Sequence, residues 1–321
     1  MKSVLITGAE GFVGRQLTPS MHEAGVPVVA VVRQHRTQGP AGVKTICVGD
    51  LREWRDWHAM LANVDAVIHL AARAHVIAER ASDPLDAFRK TNVEATLNLF
   101  TACQTVGVKR FVFVSTIGVN GVATQDKPFQ DGDVPNPTEP YAISKWEAEQ
   151  TLSALAARGV TELVVVRPTL IYGPWAKGNF LRLMRLVNSG WPLPLGAVSA
   201  TRSILSLTSL CELLVKCTHH RAAAGQIFLA ADRKPISTRD LIITIADLMK
   251  RRARLVRIAP RILTQIGHLS GFGAEIDRLT ASLEVDSSRV RQLLDWNGDT
   301  NCERDMKRMV DEFLGGRHLC R

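Results

Sequence analysis

The chain has 321 residues, 46 % of them apolar, and a net charge of +9. That length buries one large core or two smaller ones, and apolar runs that stop well short of about 18 residues exclude a helical membrane span. The excess positive charge suits an anionic partner, but neither a zinc finger nor an aromatic RNA-binding motif is present to suggest a nucleic-acid module.

The six cysteines are scattered, with no CxxC or Cys/His spacing. They suggest neither a metal site nor a disulfide framework, and reduced thiols in a cytoplasm are expected. The opening "MKSVLITGAEGF" has too short an apolar stretch for a secretion signal and reads as a first strand over 3–8. Gly8, Gly11 and Gly14 follow it and open a helix over 12–24. Three glycines between a strand and a helix allow a tight turn, close approach of a pyrophosphate, and close packing of helix on sheet. The free N–H groups of that helix end suit phosphates, so a dinucleotide is expected here.

The second strand, 26–33, ends in Arg33, where an acid would favour NAD through the ribose 2′-hydroxyl. A guanidinium suits a 2′-phosphate, which favours NADP(H) over NAD(H); Arg33 stacked on the adenine would permit either. A third strand, 44–49, leads to Asp50, placed to accept from the adenine amino group. A helix over 54–62 and a strand over 64–71 follow. Next come Arg73 and His75, at the rim of the crevice or simply solvated, and a helix over 84–106. Strands over 110–116 and 162–168 flank a helix over 141–158. The strands are nearly continuous in apolar residues, as strands buried on both faces are. This alternation predicts an α/β fold, a Rossmann-like doubly wound parallel sheet.

After about residue 170 the pattern loosens into a proline-rich loop at 190–196 and helices with short extended pieces over 237–321. The expected division is a nucleotide-binding domain over 1–170 with a return near 203–232. A smaller, discontinuous C-terminal substrate lobe takes 171–202 and 233–321. The densest basic run is "KRRARLVR" at 250–257, a solvated face or else a cationic helix that touches anionic lipid or a partner. His219 and His220 are adjacent and therefore point apart, which does not make a metal pair.

"YAISK" at 141–145 carries one of only two tyrosines. Tyr141 and Lys145 fall one helical turn apart on one face. An ammonium beside a phenol favours phenolate and lowers its pKa, bringing a poor acid–base group towards usefulness at neutral pH. Alone, the pair could be two surface side chains.

In order along the chain stand "TGAEGFVG", "GDL", "VDAVIHLAA", "TNVEATLNL", "FVFVSTIGVNG", "YAISK" and "RPTLIYGP". Together they resemble the extended short-chain dehydrogenase/reductase family, the NAD-dependent epimerase/dehydratase type, over nearly the whole chain. The resemblance implies that Tyr141 is the acid/base and that Lys145 holds the nicotinamide ribose and depresses the tyrosine pKa. Thr116, 25 residues before Tyr141, would hydrogen-bond the reacting sugar oxygen, with Ser115 its neighbour towards the nicotinamide. Phe12, Val13, Leu51, Leu70, Ala71, Ala72, Pro168, Leu170 and Ile171 would line the cofactor slot. Asn179, Arg202 and, more weakly, Arg278 would hold the diphosphate of a UDP-sugar. Where relatives carry an aspartate after "RS", this chain has Thr208. Relatives are commonly homodimers through the 84–106 and 141–158 segments.

Dehydratases of this family resemble one another in an Asp–Glu pair after the catalytic threonine; here Ile117 and Gly118 follow Thr116. That leaves a reductase of a UDP-2-acetamido-4-keto-2,6-dideoxyhexose, of the kind found in bacterial lipopolysaccharide O-antigen clusters, or a UDP-hexose 4-epimerase with tightly held NAD. Arg33 tilts the expectation to the reductase. A third class, a non-catalytic NAD(P) sensor, tends to lose the Tyr–Lys pair.

Overall fold

A computed structural model describes residues 2–34, 42–74, 83–269, 273–298 and 301–316. The strands are β1 (Val4–Thr7), β2 (Val28–Val32), β3 (Lys44–Cys47), β4 (Ala66–His69), β5 (Arg110–Val114) and β6 (Glu162–Pro168). After them come β7 (Leu170–Tyr172), β8 (Thr201–Arg202), β9 (Ile204–Ser206), β10 (Ile227–Ala230) and β11 (Ile236–Ser237). The helices are α1 (Gly14–Glu23), α2 (His58–Leu61), α3 (Pro84–Arg89), α4 (Ala95–Val106), α5 (Pro140–Ala156) and α6 (Gly178–Ser189). The remainder are α7 (Leu207–His219), α8 (Thr238–Leu248), α9 (Pro260–Leu269), α10 (Gly273–Thr280), α11 (Ser288–Leu294) and α12 (Cys302–Leu314).

Seven strands form one parallel sheet in the order β10-β6-β5-β4-β1-β2-β3. Alternation along β1 sets the two layers: Val4 and Ile6 face α1, α7 and α11, while Leu5 faces α4 and α5. β1 sits between β2 and β4, so the chain reverses direction across the sheet there. That reversal opens a crevice at the carboxyl ends of β1 and β4, where α/β sheets take their ligands. The predicted 84–106 helix is α3 and α4 joined by a π-helical stretch over Lys90–Glu94.

A third apolar cluster gathers α6, α8 and α12 with Leu193, Leu195 and Val198. Two-stranded ladders β7–β9 and β8–β11 stitch this lobe together. The basic run at 250–257 is extended chain rather than helix: Leu193 N donates to Arg254 O (2.7 Å) and Val256 N to Leu193 O (2.8 Å). Helix starts only at Pro260, since proline fixes its own φ and disfavours helix in the residue before it. No helix among the described residues is long and apolar enough to cross a membrane.

Candidate active site

The glycine turn lies over the carboxyl end of β1. Gly8 has φ +68°, and a Cβ there would stand 2.8 Å from Ala71 N. At Gly14 a Cβ would meet Gly8 O at 2.3 Å, so helix and turn are as close as two backbones allow. A Cβ at Gly11 would come to 3.0 Å from the same oxygen. Phe12, Val13, Leu70 and Ile171 are half-buried against one face of the sheet core, Leu51 against the other, and Leu170 against the lobe. Ala71 and Ala72 continue from β4, and Pro168 closes β6.

Arg33 leaves the end of β2 with its side chain 75 % exposed, 3.6 Å from Asp50. Asp50 is forked by Arg52, whose Nε and Nη2 reach it at 3.0 and 2.5 Å. That hydrogen bond holds the Asp50 carboxyl at about 2 despite some burial. Arg52 was not anticipated from the sequence. His75 lies outside the described residues.

Helix α5 begins with Pro140 at its first position, fixing the entry angle of Tyr141 one residue on. The phenol packs edge-on against Phe88 with centroids 6.0 Å apart. One turn later Lys145 is buried, its Nζ 3.9 Å above the Phe113 ring. The two residues lie one turn apart on α5, but the electrostatics run against the expected lowering of the phenol's pKa. Burial pushes the Tyr141 hydroxyl up to about 12 and pulls Lys145 down to about 7, against a smaller opposing pull from Glu149. Desolvation sets the direction of the Tyr141 shift.

Behind Lys145 runs a buried polar chain that the sequence did not reveal. Glu149, one turn further along α5, is paired with Arg167 on β6 at 2.5 Å; the side chains are 1 % and 2 % exposed. Arg167 Nη1 also donates to Asn120 Oδ1 at 2.9 Å. Below the site His69 bridges Thr7 Oγ1 (2.8 Å) and Thr96 Oγ1 (3.0 Å) and stacks on Phe113. Burial, then the nearby Lys145, brings its pKa down to about 3, so the ring is neutral. Asn92, buried in the π-helical stretch, accepts from Arg73 N (2.8 Å) and donates to Ser144 Oγ (3.0 Å), tying the loop after β4 to α5. The only sequence signal for Asn92 was its place in "TNVEATLNL".

Thr116 caps a short 3-10 turn, its Oγ1 accepting from Gly118 N at 3.2 Å, which leaves the hydroxyl proton free to be donated. Ser115 is buried, and its Oγ has no hydrogen-bond partner among the described residues. A cradle that any side chain would fill and an orphaned hydroxyl just past β5, the strand whose Phe113 lies under Lys145, both fit a dinucleotide in this crevice.

Across the cleft, Arg202 on β8 donates to the Arg278 carbonyl, and Arg278 pairs with Glu139, two residues before Tyr141. Burial, then Arg278, holds the Arg202 pKa below its ordinary value. Asn179 is exposed in the first turn of α6, and its side chain makes no hydrogen bond among the described residues. Thr208 stands at the start of α7 with a carboxylate supplied from elsewhere: buried Asp305 accepts from Thr208 N (2.9 Å), Thr208 Oγ1 (3.0 Å) and Ser206 Oγ (2.6 Å). Gln16 of α1 donates to Thr208 Oγ1 at 2.6 Å. The lobe is thereby tied to the helix behind the glycine turn.

Residues 4–231 match the NAD dependent epimerase/dehydratase family. The chain belongs to that family. It is an NAD(P)-binding enzyme chain of the extended short-chain dehydrogenase/reductase type. It is 36 % identical over 315 residues to a UDP-glucose 4-epimerase of Vibrio cholerae, covering 98 % of this chain and 96 % of that one. An Escherichia coli O157:H7 N-acetyl-alpha-D-glucosaminyl-diphospho-ditrans,octacis-undecaprenol 4-epimerase is 26 % identical, covering 90 % and 85 %. Among solved structures, MoeE5 in complex with UDP-glucuronic acid and NAD superposes with a TM-score of 0.77 at 25 % identity, covering 98 % of this chain and 99 % of that one.

Proposed function

We propose that this chain is an NAD(P)-dependent 4-epimerase of a UDP-hexose or UDP-N-acetylhexosamine. The observation that carries the reading is the Tyr141–Lys145 pair, one turn apart on α5 with Lys145 buried and Tyr141 half-buried, together with Thr116 just past β5, in a chain that runs alongside a 4-epimerase for 315 residues. The comparisons favour the epimerase over the 4-keto-sugar reductase that Arg33 suggested. No carboxylate follows Thr116 to remove a C5 proton, which speaks against dehydration.

When bound, the nicotinamide supplies a reversible acceptor for the C4 hydrogen. The protein's part is proton management and grip. Tyr141 Oη exchanges a proton with the sugar O4, and Thr116 donates to that oxygen. A phenol near 12 is a donor at neutral pH and becomes a base only as positive charge is brought beside it. Lys145 is the cation one turn away, and Glu149 favours its charged form. Gly8, Gly11 and Gly14 admit the pyrophosphate; Asp50 and Arg33 face the adenosine, with Arg33 exposed enough to turn to a 2′-phosphate. Arg202, Arg278 and Asn179 hold the UDP diphosphate from the lobe. Residues 1–170 with the return to β10 act as the nucleotide domain. A homodimer through α4 and α5, and a place in surface-glycan assembly, belong to the same reading.

The test is purified protein with UDP-N-acetylglucosamine and no added cofactor. Inversion at C4, seen by proton NMR, supports the epimerase. Consumption of NADPH by the 4-keto-6-deoxy sugar nucleotide, with no inversion in the first tube, selects the reductase. Nicotinamide released from the denatured protein identifies NAD or NADP. A sensor would bind the dinucleotide and do neither reaction.

A further inference from the structure

Between Asp247 and Glu275 the chain carries no acidic residue, while Lys250, Arg251, Arg252, Arg254, Arg257 and Arg261 fall within twelve positions. All six are exposed, and none makes an ion pair among the described residues. Helix α9 follows at once. Its Leu263 and Gly267 are buried, Gly267 against Ile276 of α10. Beside them runs a second apolar stripe: Ile262, Ile266 and Leu269, at i, i+4 and i+7, are 49 %, 54 % and 89 % exposed, while Arg261, Thr264, Gln265 and His268 take the remaining side. Trp191, 74 % exposed, stands two residues before Leu193, whose backbone is hydrogen-bonded to the 254–256 chain that leads into α9. An apolar stripe on a helix is normally packed against a neighbour. Here one side is open and bordered by unpaired cations.

We propose that this face docks on an anionic membrane surface, with Ile262, Ile266, Leu269 and Trp191 entering the headgroup boundary and the 250–261 cations meeting lipid phosphates. An apolar stripe flanked by unopposed Lys and Arg is the pattern of an interfacial helix. A second copy of this chain on a two-fold axis would set like charges against like. A nucleic acid would use the cations but leave the aliphatic stripe in water. The neighbouring acids in sequence, Asp240 and Asp247 of α8 and Asp277 of α10, lie outside the basic run. Asp277 is 3.4 Å from His268. The same α10 carries Arg278, paired with Glu139 ahead of Tyr141, so the docking face borders the cleft. The inference goes beyond the epimerase reading and does not depend on which sugar is used.

The experiment is flotation of the full chain with vesicles of phosphatidylcholine alone and of phosphatidylcholine with phosphatidylglycerol. Binding is expected on the anionic vesicles, at least about tenfold above neutral ones, and weakening with salt. The Ile266→Ser/Leu269→Ser variant should lose about tenfold, and Arg254→Gln/Arg257→Gln/Arg261→Gln about a hundredfold, both with unchanged circular dichroism and soluble-sugar turnover. Equal binding to both vesicles, or to neither, overturns the proposal. So does anionic binding that survives the serine pair, which is adsorption of a basic protein only. Sedimentation showing self-association that the serine pair abolishes would assign the face to a second copy. Tight binding of a single-stranded RNA oligonucleotide with none to lipid would assign it to nucleic acid. Failure of turnover with intact vesicle binding would count against the epimerase reading alone.

Discussion

Beside the sheet, Lys145, Glu149 and Arg167 are all buried, and each charge has a named neighbour. At the C-terminal lobe, Arg278 and the Glu139 it meets across the cleft are half exposed, and among the described residues the 250–261 cations stand in water without carboxylates. Low dielectric makes the first set expensive to disturb and able to shift pKa values; solvent makes the second set cheap, adjustable and salt-sensitive. The first arrangement suits a reacting atom that must be met in one geometry. The second suits a ligand, or a surface, that arrives and leaves.

The contrast breaks most sharply at Tyr141. Tyr141→Phe removes only the hydroxyl, so epimerisation should fall by about two to four orders of magnitude while bound dinucleotide, measured after denaturation, stays the same. Activity within tenfold of the parent would remove Tyr141 from the chemistry. Next comes the buried pair. Arg167→Met leaves Glu149 charged and alone and should cost about 3–5 kcal/mol in a denaturant titration. Arg167→Met with Glu149→Met should recover most of that stability. If turnover stays low when stability returns, the pair serves Lys145 as well as the fold. If turnover returns too, it serves the fold alone.

What the sequence disclosed follows the same division. The glycine turn, Thr116 and the Tyr141–Lys145 spacing are local patterns, because backbone geometry fixes them over a few residues. The first six sheet strands were legible for the same reason: each is a run of apolar residues bounded by turns. Helix α7 was not read, although Leu207, Leu210, Leu214 and Cys217 recur at helical spacing; Ser209, Cys211 and Leu213 are buried between them and blur the boundary of that face. Arg167 lies 18 residues from Glu149 and 47 from Asn120, and Asp305 lies 99 from Ser206. No local signal joins such partners. The direction of the Tyr141 shift was misjudged because spacing reports a neighbouring ammonium but says nothing of how deeply the phenol is buried.

Lys145 gives a smaller, pH-dependent effect. The unfolded chain keeps this proton up to its ordinary value of 10.5, the folded one only to about 7. Between those values the unfolded state binds more protons, so stability of cofactor-free protein should rise with pH, by up to about 1.4 kcal/mol per pH unit from this group. Below about 7 both states hold the proton and the contribution is flat. Lys145→Met should remove the rise; a parent curve that is flat from pH 7 to 9, or a rise that survives in the variant, would mean that Lys145 keeps its proton in the fold.

The smallest effect should come from the exposed pair across the cleft, and it separates the two regions by sign. Glu139 occupies the guanidinium that a diphosphate would need, in a half-exposed contact worth about 0–1 kcal/mol. Arg278→Gln should therefore raise KM for the UDP-sugar, by about tenfold or less, with kcat little changed, since the interaction is the same in ground and transition states. Glu139→Gln should do the reverse: with no carboxylate to displace, KM falls by up to about fivefold. In the buried set, removing either partner can only harm. In this one, removing the acid should help and removing the base should hurt if the diphosphate takes the guanidinium that Glu139 holds. Equal losses from both variants would instead make the pair a structural brace for the start of α5.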